Sequence, residues 1–298
     1  MKPIRTAAML LVVPTVAVSV ATQGMAVAAP ARHHHHRHVV SVVGDGSHVA
    51  VDHPVLHAGR VTFSVRSTNS GSGSNITLFR PRPGHTLGEA FGDLAEEFSS
   101  DPHTAAKGTR DLVEDVWTYG LADVSPARGA LVTRSLSPGS YYLMDLGNPP
   151  TSGPPAVTSL TVEGHDGYRA KALRRHASAT IKMTSADRFK VRGSMPAHGT
   201  VKVVNTSDTL HFVSFQRVKP GTTDRQIQQY FASGGSSGPP PWAMQSPSMG
   251  TDVLTPGKSL KLTYRLHRGR YVLMCFISDD QNGMPHAFMG MHKVVHFG

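Results

Sequence analysis

The side chains best suited to bind a metal ion are concentrated near the C terminus. They are Met274, Cys275, Met284, His286, Met289, Met291 and His292. Thiolate, imidazole and thioether groups are ligands for transition metals. Cys275 is the only cysteine of the chain and cannot form an intrachain disulfide. It is therefore a metal ligand, a partner in a disulfide between chains, or a small buried hydrophobic residue.

A further candidate ligand, His211, lies upstream in the segment from Val204 to Val213. Considered alone, His211 has the alternative interpretation of a strand histidine with a satisfied hydrogen bond. Met289 and Met291 alternate along the chain, as core residues on one face of a strand also do. None of these residues defines a metal site without the others.

The second half of the chain resembles the small blue-copper proteins, such as plastocyanin and azurin, which are cupredoxins. The resemblance is carried by an Asn-containing turn before His211, by the Gly-x-Tyr strand that leads into Cys275, and by the later His286 and Met291. It implies that these four residues bind one copper ion, with Met289 as an alternative axial ligand. The 10 residues between Cys275 and His286 make a longer loop than is usual in that family.

The same resemblance implies electron transfer or copper handling, with a redox protein or a copper-accepting protein as the partner. Methionine-rich clusters favour Cu(I), which suits a copper carrier. The alternative is a metal-free extracytoplasmic β-sandwich that acts as a binding or structural protein. No catalytic motif is found, and no second set of copper ligands of the kind multicopper oxidases and nitrite reductases require. The sequence therefore predicts a protein that is not an enzyme.

The elements that must position these residues occur twice. Gly, Tyr, Leu and Met of the segment 137–145 recur in the segment 267–275 at a constant offset of 130 residues. Alternating apolar and polar residues predict short strands, and Thr86 and Thr223 each begin a capping box that predicts a short helix. We expect an all-β fold of two tandem cupredoxin-like Greek-key β-sandwich domains, 39–164 and 178–298, joined by a basic linker, 165–177.

The first of these domains is expected to lack the metal site, because Asp145 stands where Cys275 stands and Asn75 stands where His211 stands. The segment 146–162 contains neither histidine nor methionine. This domain is therefore interpreted as structural or as a partner-binding module.

The N terminus predicts export. Residues 1–28 have the charged start, apolar run and small-residue cleavage pattern of a signal peptide, and the mature chain has no predicted transmembrane segment. A histidine-rich tail, 29–38, follows, with auxiliary metal ligands at His33, His34, His35, His36 and His38. The net charge of +10 is attributed to solubility rather than to nucleic-acid binding, because no nucleic-acid motif accompanies it. A secreted or cell-envelope location is expected, and the oligomeric state is left open.

Overall fold

Alternation of buried and exposed residues defines the strands of both halves. In one strand of the first half, Ala130, Val132, Arg134 and Leu136 are buried and the alternate residues are more exposed, the period expected of a strand with one face on a core. The structure is a computed structural model, and it describes residues 39–150, 153–164, 176–234, 240–247 and 249–298. The predicted signal peptide, the histidine-rich tail and most of the predicted linker lie outside these residues.

Among the described residues, the first half contains ten strands and two helices. In chain order they are β1 (Val39–Gly44), β2 (Val49–Val51), β3 (Val55–His57), β4 (Gly59–Ser67), β5 (Ser74–Pro81), α1 (Leu87–Glu97), α2 (Pro102–Asp115), β6 (Val116–Thr118), β7 (Ala122–Val124), β8 (Ala130–Leu136), β9 (Gly139–Asp145) and β10 (Thr158–Glu163). The second half contains β11 (Ala179–Thr184), β12 (Arg188–Gly193), β13 (His198–Asn205), β14 (Ser214–Arg217), α3 (Asp224–Ala232), β15 (Met249–Gly250), β16 (Ser259–Arg265), β17 (Gly269–Met274) and β18 (His292–Phe297).

The two halves repeat the same strand pairings. Parallel β1 and β4 correspond to parallel β11 and β13, and the antiparallel pairs β4–β8, β5–β9 and β9–β10 correspond to β13–β16, β14–β17 and β17–β18. Tyr141 donates a hydrogen bond to the carbonyl of Ser137 at 2.8 Å, and Tyr271 donates one to the carbonyl of His267 at 3.1 Å. The predicted all-β fold of two cupredoxin-like sandwiches in tandem is confirmed.

Both sheets are continuous across the two halves. One sheet has the order β12-β11-β13-β16-β8-β4-β1-β2, and the other has the order β18-β17-β14-β15-β7-β5-β9-β10-β3 with β6 beside β5. The halves join where Leu262 pairs with Val132 in the first sheet and where Met249 pairs with Val124 in the second. The described residues of the two halves accordingly belong to one compact unit. The exact domain boundaries given above remain a prediction.

Buried side chains of both sheets meet in a shared core. Phe63 and Val203 from the first sheet and Leu143 and Phe215 from the second are at most 1% exposed. This burial is the main source of stability for a sandwich of short strands, at about 25 cal/mol for each Å² of apolar surface removed from water.

The two predicted capping boxes form as expected. Thr86 and Glu89 close the first turn of α1, and Thr223 and Gln226 close that of α3. The first half also contains α2, which was not predicted and which begins with Asp101 accepting a hydrogen bond from the N–H of Thr104 at 2.8 Å. In the part of the chain that the structure describes, no helix combines the length and the apolar character needed to cross a bilayer.

Candidate metal centre

His211 lies just before β14, and a hydrogen-bond network centred on Asn205 holds it in place. The Asn205 side chain is fully buried and donates to the carbonyls of Thr209, at 2.8 Å, and Leu254, at 2.7 Å. Leu254 in turn exchanges backbone hydrogen bonds with His211. The Asn-containing turn noted in the sequence therefore fixes the backbone of the histidine.

Cys275 and His286 come from the end of β17 and the loop that follows it. Cys275 directly follows β17, whose last residue, Met274, pairs with His292 of β18. His286 donates a backbone hydrogen bond to the carbonyl of Ile277 at 2.9 Å, and the N–H of Met291 donates to the carbonyl of His286 at 2.8 Å. The long loop is therefore fixed on both sides of its histidine.

The three side chains converge on one buried point. Sγ of Cys275 lies 3.7 Å from Nδ1 of His211 and 3.8 Å from Nδ1 of His286. The two imidazole centroids are 4.7 Å apart. All three residues are 0% exposed, and their donor atoms form a group able to hold a metal ion.

These distances fit a transition-metal ion bound in a plane. Bonds of about 2.3 Å to a thiolate and about 2.0 Å to an imidazole, meeting at roughly 120°, place sulfur and nitrogen about 3.7 Å apart. The thiol and the two Nδ1 atoms meet this requirement without any rearrangement. A histidine pair brought together only by core packing has no reason to direct both Nδ1 atoms at one sulfur.

Burial controls the protonation of the three groups. It lowers the pKa of His211 to about 3, with the neighbouring His286 adding to the effect, and lowers the pKa of His286 to about 4. Both imidazoles are therefore neutral at pH 7, as metal ligands must be. Burial raises the pKa of the Cys275 thiol to about 12, although the backbone N–H groups of Phe212 and Ile277 oppose the rise. Metal binding at this sulfur must therefore displace a proton.

The carboxylate of Asp187 faces the Nε2 atoms of both imidazoles, on the side away from Cys275. Oδ1 of Asp187 lies 3.6 Å from Nε2 of His211 and 3.8 Å from Nε2 of His286, and neither Nε2 atom has a hydrogen-bond partner. Oδ2 of Asp279 lies 3.9 Å from Nε2 of His286. Asp187 occupies the turn between β11 and β12 with a φ of 50°, an uncommon conformation for a residue with a side chain. Sequence reasoning missed both acids. Asp187 lies in the β11–β12 turn, which no local signal connects with the ligands, whereas Asp279 lies in the loop between Cys275 and His286, a position that could have identified it.

The two methionine candidates differ in their surroundings. Met291 is fully buried and belongs to the hydrophobic core. Met289 is partly exposed, and its sulfur lies 3.8 Å from Nδ2 of Asn282. The axial role of either methionine remains a prediction. The auxiliary histidines, 33–36 and 38, lie outside the described residues.

The first half keeps the framework of the site with different side chains. Oδ1 of Asp145 accepts hydrogen bonds from the N–H groups of Asn75 and Gly147, both at 2.9 Å, where Cys275 receives those of Phe212 and Ile277. Asn75 thus corresponds to Phe212, so the predicted match between Asn75 and His211 is one residue out of register. The pairings of Thr77 with Met144 and of Ser214 with Met274 make Ser74 the counterpart of His211.

Comparison with known proteins identifies structural similarity but no family. No protein-family model and no curated protein matches the chain. A solved auracyanin from Roseiflexus castenholzii is 18% identical, over 41% of this chain and 99% of that chain, with a TM-score of 0.25. A copper nitrite reductase from Nitrosomonas europaea is 12% identical, over 87% of this chain and 93% of that chain, with a TM-score of 0.22. A blue copper oxidase from the same organism is 8% identical, over 86% and 85%, with a TM-score of 0.21.

One prediction is wrong in the light of these matches. The sequence predicted a protein that is not an enzyme, whereas the structures that match over most of the chain include a copper nitrite reductase and multicopper oxidases. An organisation of two joined sandwiches therefore gives no ground for excluding enzymes. Identities and TM-scores this low assign no activity to the present chain.

Proposed function

We propose that the chain is an extracytoplasmic copper-binding protein, and that His211, Cys275, His286 and Met291 bind one copper ion. The observation that supports this best is the direction of the two imidazoles, whose Nδ1 atoms lie 3.7 and 3.8 Å from a single sulfur. A thiolate with two imidazoles is the donor set that selects copper in trigonal sites. Copper bound there would supply one-electron oxidation and reduction.

The protein's own contribution is to keep this donor set in place. His211 is fixed through Asn205 and Leu254, and His286 is fixed by its hydrogen bond to Ile277. The ligands are fully buried, so water has little access to them. A rigid and dry site lowers the reorganisation that accompanies a change of charge, and it hinders ligand exchange. These features favour electron transfer over delivery of copper to an acceptor.

A copper titration of the full chain tests the proposal. The histidines of the N-terminal tail are first replaced by asparagine, so that their unselective binding does not contribute. We expect one equivalent of Cu(II), intense visible absorption from the thiolate, and an EPR spectrum of a single site. Tight Cu(I) binding without that absorption would instead indicate a carrier, and no binding would leave a metal-free sandwich. N-terminal sequencing of protein recovered from the culture medium or the envelope tests export and cleavage.

A further inference from the structure

A cavity of about 210 Å³ lies between the first half and the loops of the metal centre. Its walls are mostly apolar and include Ala90 and Leu94 of α1 on one side, and Phe212, Phe276 and Ile277 on the other. Phe98 and Phe276 also line it, although they are 61% and 40% exposed, respectively. Exposed aromatic rings on the wall of a cavity place its mouth at the surface. An apolar cavity of about 150 Å³ holds a benzene ring, so this one accommodates a ring with a short substituent.

Two polar acceptors on the wall have no partner. Oδ2 of Asp252 and Oδ1 of Asn75 are buried without a hydrogen bond. The other carboxyl group on the wall, that of Glu97, accepts a hydrogen bond from the N–H of Ser278 at 3.2 Å. A buried acceptor without a donor destabilises the fold, and more so when it is charged. The cavity therefore presents acceptors that a ligand with N–H groups satisfies.

We propose that this cavity binds a small primary amine with an apolar body of about one six-membered ring, its ammonium group on Asp252 and Asn75. The positive charge of the ligand follows from the residues that line the cavity, since both unsatisfied atoms are oxygens and one belongs to a carboxyl group. Burial, with nearby Asp123 and Asp145, raises the pKa of Asp252 to about 7. An ammonium group offsets this effect and keeps the carboxylate ionised.

The cavity also adjoins the ligands of the metal centre. Phe212 follows His211 in the chain, and the N–H groups of Phe212 and Ile277 face the sulfur of Cys275. An amine that presses on these two residues alters the hydrogen bonds at the sulfur. This consequence rests on the proposed function, whereas amine binding itself does not.

Calorimetry of the metal-free full chain with benzylamine tests the proposal, with benzyl alcohol as the neutral ligand of the same shape. We expect benzylamine to bind at least about tenfold more tightly than benzyl alcohol, since a charge-assisted hydrogen bond replaces a neutral one. Asp252→Asn removes that preference, and Ala90→Phe, which fills the cavity, removes binding. Asp93→Asn is the matched control, because Asp93 is a buried carboxyl with an unpartnered oxygen that does not line the cavity.

Equal binding of the two ligands, or no binding of either, would overturn the proposal. This comparison uses the parent chain alone, so it does not depend on whether a variant folds. Full benzylamine affinity in folded Ala90→Phe would overturn it as well. In the copper-loaded chain, benzylamine is expected to shift the visible absorption band, and Asp252→Asn is expected to remove the shift. A chain that fails to take up copper but binds benzylamine contradicts the copper site and supports the amine site.

Discussion

Asp145 accepts the same pair of backbone N–H groups in the first half that Cys275 accepts in the second. In addition, its Oδ2 accepts the N–H of Gly46 at 2.8 Å, so one carboxylate satisfies three donors from three segments. The duplicated fold thus places a negatively charged or polarisable group at this point in both halves. In the first half the carboxylate of Asp145 links three backbone segments by hydrogen bonds. In the second half the sulfur of Cys275 faces two imidazoles.

Asp145→Asn is expected to destabilise the fold by about 2–3 kcal/mol. The substitution replaces one acceptor oxygen by an NH2 group, which leaves a buried N–H without a partner. Urea denaturation at neutral pH measures the change in the free energy of unfolding. The exposed carboxyl of Glu163 supplies the control, because Glu163→Gln is expected to stay within about 0.5 kcal/mol of the parent chain. Equal stability of the two variants would show that neither the charge nor the replaced acceptor oxygen of Asp145 contributes to stability.

Cys275→Ser is expected to abolish tight copper binding while costing only about 1 kcal/mol of stability. The serine oxygen is able to accept the N–H groups that face the sulfur, so the fold survives. A copper titration followed by visible absorption and by denaturation of the metal-free form measures both effects. Met284→Leu alters an exposed methionine of the same loop and should leave binding unchanged. Retained copper binding in Cys275→Ser would contradict the proposed site.

The sequence predicted the secondary-structure elements better than it predicted the contacts between residues distant in the chain. The all-β fold and the two capping boxes were accessible because each depends on residues close together in the chain, and the repeat was accessible because two segments of similar sequence recur at a constant offset. The meeting of His211, Cys275 and His286 was predicted only through a family resemblance, since His211 lies 64 positions from Cys275 in the chain. Helix α2 was missed because its start signal, Asp101 followed by Pro102, lies shortly after the end of α1 at Glu97.

The position of Asp187 near the imidazoles and the sharing of both sheets between the halves were beyond prediction for a different reason. Asp187 contacts His211 and His286 only because β11 and β12 lie beside the site, and the pairing of β8 with β16 connects residues more than a hundred positions apart. Register between distant strands is set by the packing of the whole core. A single sequence contains no local signal for it.

The two methionine candidates can be separated by substitution. Met291→Leu is expected to change the EPR spectrum and raise the reduction potential of the copper form, because the proposed axial thioether is replaced by an alkyl group. Met289→Leu is the matched control, since the sulfur of Met289 lies beside Asn282 and the residue is partly exposed. Spectroelectrochemistry of both variants gives the comparison. A larger shift in Met289→Leu would reverse the assignment.

Asp252→Asn is expected to stabilise the ligand-free fold at neutral and higher pH. Burial raises the folded-state pKa of this carboxyl from 3.8 to about 7, so the folded chain holds its proton over a range in which the unfolded chain releases it. Below pH 3.8 the carboxyl of Asp252 is protonated in both states, and the stability that this protonated group allows is fully present. As the pH rises towards about 7 the free energy of unfolding falls, because the unfolded chain releases the proton first. At about pH 8 the ionised carboxyl lowers the free energy of unfolding by on the order of 4 kcal/mol. The uncharged amide of the variant does not have this cost.

Urea denaturation of Asp252→Asn and of the parent chain at about pH 4 and about pH 8 measures this effect as a difference between two chains. The difference should be small at the lower pH and should favour the variant at the higher pH. Glu163→Gln, at an exposed position, should show no such dependence on pH. A variant that is less stable than the parent at the higher pH would mean that the carboxylate of Asp252 is satisfied in the folded protein. The unpartnered oxygen would then no longer explain why the cavity should select an amine.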